Sequence, residues 1–169
     1  MSVNWVTLDN QQRPVPLPGE EFVFEQNDSD ARLSLSCKTI DKTPGATIDS
    51  SAGGRLFLST QRLIYLAEST DSRYHIEGKG DALFDNLAVP LSGFKGARLH
   101  QPWIGPNAWV GVFVPTNGGG LNPELAMWEM KISFATGGAL DFARLFQRAL
   151  EARTLQQSHI DELPQYTPI

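Results

Sequence analysis

The hydropathy of this chain has two periods, and the change from one to the other is its strongest constraint. Between Phe22 and Phe134, apolar residues mostly recur at alternate positions. After Thr136-Gly137-Gly138 they fall at Ala139, Phe142, Ala143, Phe146, Ala149 and Leu150. Period two marks half-buried strands, and the spacing i, i+3, i+4, i+7 marks one face of a helix. A run of strands followed by one amphipathic helix has few ways to bury both apolar surfaces, so the helix is expected to cap the β layer.

The strand candidates are Phe22–Phe24 continuing into Leu33–Cys37, the hairpin Arg55–Leu66 turning at Ser59-Thr60-Gln61, Leu83–Val89 closed by Pro90, Phe94–Gln101, Trp109–Val114 and Ala126–Phe134. They amount to about seven strands. The polar stretches Lys38–Gly54 and Glu68–Gly80 and the glycine run before Pro123 are expected as loops. Asp141 in the first turn of the helix, with Arg148 and Arg153 toward its end, suits the helix dipole.

The organisation expected is one domain over residues 21–157, a flexible proline-containing segment over 1–20 and a flexible tail over 158–169. A chain of 169 residues with 41% hydrophobic and 20% charged residues has enough apolar surface for a core, unlike a disordered acidic tail. Its net charge of -5 opposes binding along a nucleic-acid backbone. The single cysteine, Cys37, excludes an internal disulfide and a thiolate zinc cage, and suggests a reducing compartment, cytoplasm or nucleus. Ser2–Asn10 lacks the basic start and apolar run of a signal peptide. No apolar stretch is long enough to span a bilayer. The Asn27-Asp28-Ser29 sequon is read as coincidental.

No catalytic constellation emerges. His75, His100 and His159 are scattered, Cys37 lies at a strand position that suits an inert buried thiol, and Gly118-Gly119-Gly120 lacks the lysine and helix of a phosphate loop. The chain is expected to be non-enzymatic, with no cofactor, no metal and no small-molecule substrate. Arg13-Pro14-Val15-Pro16-Leu17-Pro18-Gly19 reads as an extended connector.

The sharpest local motif is Leu163-Pro164-Gln165-Tyr166, which fits the L-P-x-Y form of WW-domain ligands. Leu163-Pro164 favours the extended conformation that such grooves accept, and Tyr166 supplies an amphipathic ring for a neighbouring pocket. Phosphorylation of Tyr166 is expected to oppose docking, and Thr167-Pro168 is a proline-directed phosphorylation candidate.

The order of elements resembles pleckstrin-homology (PH) folds, which implies a mainly β, bent, seven-stranded antiparallel barrel capped by a C-terminal helix. From Gly54 to Leu150 the chain resembles the WW-domain-binding protein two family, whose domain is of the GRAM type within that superfold. The likeness rests on the hairpin Gly54–Leu66, on Phe84 through Pro90-Leu91, on Gln101-Pro102-Trp103-Ile104-Gly105-Pro106-Asn107, on Gly118-Gly119-Gly120 and on Lys131–Phe142. The resemblance implies an adaptor that binds WW domains of HECT-type ubiquitin ligases or of transcriptional coactivators. It also implies a role in coactivation or as a stress-related scaffold in cytoplasm and nucleus. Here one L-P-x-Y motif stands in place of the repeated P-P-x-Y motifs of animal members, so avidity within a chain is lost. The alternative is a module for phosphoinositides and other anionic membrane lipids, using Lys38, Lys42, Arg55, Arg73 and Lys79 on loops at one end of the barrel. The acidic residues among those loops weaken that patch.

Overall fold

The computed structural model describes residues 2–38, 47–68, 73–76, 80–116, 118–121 and 127–161. Within them lie β1 (Ser2–Val3), β2 (Phe22–Lys38), β3 (Thr47–Ser59), β4 (Arg62–Ala67), β5 (Arg73–Ile76), β6 (Gly80–Leu83), β7 (Asn86–Pro90), a 3-10 turn (Leu91–Gly93), β8 (Phe94–His100), β9 (Ala108–Phe113), β10 (Met127–Phe134) and α1 (Ala139–Asp161). Every ladder is antiparallel. The strands run in the order β1-β7-β4-β3-β2-β10-β9-β8, with the β5–β6 hairpin attached to β3.

The expected closed, seven-stranded barrel is not what forms. The sheet has ten strands among the described residues, and its ends, β1 and β8, do not pair. Side chains fill this seam instead of hydrogen bonds. Leu91 is buried in the turn between β7 and β8, Phe94 packs edge-on against Phe146 of α1, and Trp109 packs edge-on or tilted against Phe142 and Phe146, at ring distances of 4.6–5.3 Å. The helix therefore closes the layer that the strands leave open. Its apolar stripe is the one expected from period 3.6, and Phe142 also meets Phe24 and Phe134.

The extra strands come from segments read as loops. β3 begins at Thr47, inside the stretch expected to be irregular, and β5 lies within Glu68–Gly80. The run Leu83–Val89 divides, with Leu83 ending β6, Phe84 buried and Asn86 opening β7. The 17-residue β2 pairs with β3 along one edge and with β10 along the other, and its register irregularities against β3 add local bends.

The N-terminal residues are laid across the sheet. Val6 packs with Phe57, Ile64, Leu66 and Ala88 on the face opposite the main core. This explains why β4 and β7 read as continuous apolar runs: both of their faces are covered. The Asn4 side chain accepts from the amides of Asp85 and Asn86 and donates to the Leu83 carbonyl, while the Val3 amide donates to Gly119 in the glycine loop. Farther along, the carbonyls of Val15 and Pro18 accept from Arg62 and Gln61. Glu20 then anchors the segment. Its side chain is fully buried and accepts from Ser59 Oγ (2.6 Å), Arg62 Nε (2.8 Å), Arg62 Nη2 (3.0 Å) and the Leu17 amide (2.6 Å).

Candidate functional site

The sequence-derived site residues lie mostly beyond what can be described. Lys42, Lys79, Leu163, Pro164, Tyr166 and Thr167 are outside the described residues. Lys38 is the last residue of β2 and Arg73 the first of β5, known by backbone position. Arg55 is on β3 rather than on a loop. Its guanidinium donates to the Gln12 carbonyl at 2.7 Å and lies 5.9 Å from the Phe57 ring centroid, which commits it to holding the N-terminal segment.

The other candidates for chemistry are also accounted for structurally. Cys37 lies beside β10, its thiol donating to the Met127 carbonyl, and burial raises its pKa, which disfavours the thiolate. Among the described residues no three His, Cys, Asp or Glu side chains gather to hold a metal ion. No described helix is long and apolar enough to cross a membrane.

A different constellation forms at the other end of β10. In register, His100 of β8, Ala108 of β9, Ser133 of β10 and Arg32 of β2 make one row. The next row is Arg98, Val110, Lys131 and Ser34. Paired residues share a face, and this face is the outer one, because the alternate positions Leu33, Trp109, Ile132 and Phe134 are buried in the core. Arg32, Arg98, His100 and Lys131 are exposed on it. Arg98 lies 3.8 Å from Glu129, whereas Arg32 and Lys131 make no ion pair among the described residues. Asp30 is engaged by the Thr136 amide and hydroxyl.

The β8–β9 connection rises beside these rows. Its base is fixed, since the Asn107 carbonyl accepts from the Phe134 amide at 3.1 Å. Its tip is apolar and wet: Trp103 is fully exposed and Ile104 is 93% exposed. Pro102 and Pro106 flank the tip, and Gly105 turns it at φ +108°. A shallow cavity of about 500 Å³ lies at the loop base, lined by Arg32, Gly105, Pro106, Ser133 and Ala135. Lys38 pairs with Met127 and Arg32 with Ser133, so this cluster lies about 20 Å along the strand from the end that carries Lys38.

The fold is similar to the Vps36 N-terminal PH domain, with a TM-score of 0.59 and 17% identity over 89% of this chain and 94% of that one. No family model matches the sequence. The chain is 31% identical to the UPF0664 stress-induced protein of Schizosaccharomyces pombe over 172 residues, which span 98% of this chain and 88% of that protein. It belongs to the UPF0664 family and has a PH-like fold.

Proposed function

We propose that this domain binds anionic membrane lipid through the surface formed by β2, β8, β9 and β10 at the β8–β9 loop. The observation that supports the reading is charge segregation. In a chain of net charge -5, the exposed Arg32 and Lys131, which make no ion pair among the described residues, share one outer face with His100 and with Arg98 and its partner Glu129, at the foot of an apolar loop. A basic residue near an anionic bilayer contributes about 1 kcal/mol. Arg32→Ala with Lys131→Ala should then weaken binding to phosphatidylserine-containing vesicles about thirtyfold at low salt, with a smaller effect at high salt. Co-sedimentation of the full chain measures this. Equal pelleting of wild type and double variant, or no pelleting with anionic vesicles, would end the proposal.

A second reading rests on Leu163-Pro164-Gln165-Tyr166, which follows α1 in the sequence. In it the tail engages a WW domain of a ubiquitin ligase or coactivator, and the PH-type domain delivers that partner. Titration of the full chain into a ligase-type WW domain should show binding that Tyr166→Ala removes. Binding unchanged by Tyr166→Ala would refute it.

A further inference from the structure

We infer that Trp103 and Ile104 form a wedge that enters the acyl boundary of the bilayer, so that the domain favours loosely packed anionic membranes over tightly packed ones of the same charge. The inference rests on the lipid-binding reading and specifies what kind of surface satisfies it.

The argument starts from what the tip leaves unsatisfied. Trp109 and Trp128 are buried in the core and Trp5 is 72% exposed, whereas Trp103 and its neighbour Ile104 are presented almost wholly to water at the tip of the β8–β9 loop. Two adjacent large apolar side chains held outward have a strong drive to leave water. The loop is built to hold them there. Prolines on both sides restrict the backbone, and the Asn107–Phe134 hydrogen bond ties its base to β10, so little conformational entropy is lost on insertion.

The occupant follows from the surroundings. The tip stands on a face that carries Arg32, Arg98, His100 and Lys131, and Arg32 lines the same cavity as Gly105 and Pro106 at the loop base. Two residues of chain separate Gly105 from Trp103, a reach of at most about 7 Å. Interfacial segments bury their apolar side chains about 5–10 Å into the headgroup and acyl boundary. With the tip at that depth, Arg32, which lines the cavity at the loop base, comes within reach of the lipid phosphates. An indole also favours that boundary, because its ring is apolar and its N–H finds an acceptor among the headgroups. A protein groove would accommodate the tip but would not require cations flanking it at this height.

The test uses the full chain carrying Trp5→Phe, which leaves Trp103 as the exposed indole among the described residues. Vesicles of phosphatidylcholine and phosphatidylserine with brominated acyl chains should quench its fluorescence, relative to unbrominated vesicles. In sedimentation, Trp103→Ser and Ile104→Ser should each weaken binding about tenfold or more and abolish the preference for small, highly curved vesicles over large ones. Both side chains are outside the core, so the variants should melt as the wild type does. Salt-sensitive binding without quenching would overturn the wedge and leave the electrostatic reading standing. Quenching with no preference for loose packing would overturn the selectivity. No binding to any anionic vesicle would remove both the wedge and the reading beneath it.

Discussion

Replacing Glu20 with Gln tests how the N-terminal segment is held. The carboxylate is fully buried and satisfies four donors, two of them from Arg62, whose side chain is itself 13% exposed. A glutamine has one acceptor oxygen, and each carboxylate oxygen accepts from Arg62, so in either orientation its amide N–H groups would confront the guanidinium, together with Ser59 Oγ or the Leu17 amide, and leave the arginine's charge uncompensated. Removing one partner of a buried pair costs about 3–5 kcal/mol. For a chain of this length the unfolding entropy is about 0.35 kcal/mol/K, so a loss of about 4 kcal/mol lowers Tm by about 11 °C. The pH dependence has a definite sign. Burial alone would raise the carboxyl pKa. The hydrogen bonds from Arg62, Ser59 and the Leu17 amide, with the Arg62 charge, outweigh it and hold the pKa below the usual glutamate value. The pair's contribution is therefore present above the unfolded pKa of about 4.3 and disappears as pH falls through the lower folded value. Urea denaturation of both proteins at pH 7 and at successively lower pH should show a gap that narrows on acidification. A gap below 1 kcal/mol at neutral pH, or one independent of pH, would refute the reasoning.

Phe142→Ala should cost about 3–5 kcal/mol, because its fully buried ring meets Trp109, Phe134 and Phe24 at the seam. Hydrogen exchange should locate the loss in α1 and β9, and protection retained there would contradict the helix's role in closing the layer. Gly54→Ala would place a Cβ 2.3 Å from the Leu66 carbonyl oxygen and 2.6 Å from the Tyr65 ring, so the β3–β4 ladder must shift. A loss of about 1–3 kcal/mol is expected by denaturant titration, and wild-type stability would show that the strands relax freely.

Much of the fold was legible because it depends on local periodicity. The hairpin at Ser59-Thr60-Gln61, with Leu58 opposite Leu63, and the helix face Phe142 and Phe146 follow from residues close in sequence. The β5–β6 hairpin was not legible, because its strands are short and polar and, among the described residues, attach to β3 through the pairing of Ile48 with Tyr74. The candidate surface was missed for a different reason. Arg32, Arg98 and Lys131 are far apart in the chain, and register alone makes them neighbours. The strand candidates Phe94–Gln101 and Trp109–Val114 leave Trp103 between strands, but they do not show that it is fully in water while Trp109 is in the core. Gly105 and two prolines near Trp103 were the available signal that this indole sits on a turn.

The sequence by itself determined a β-rich domain ending in one helix, the absence of disulfide or zinc-cage chemistry, and a tail motif of a known ligand type. Those properties are written in composition, short periods and contiguous letters. Tertiary structure decided that the sheet stays open, that a proline-rich lead-in becomes a strap anchored by Glu20, and that an acidic chain presents one cationic face beside an exposed tryptophan. The physical reason is common to all three. Edge pairing, burial of a charge and clustering of cations each depend on which distant residues meet, and that is set by the balance of packing and hydrogen bonding over the whole chain.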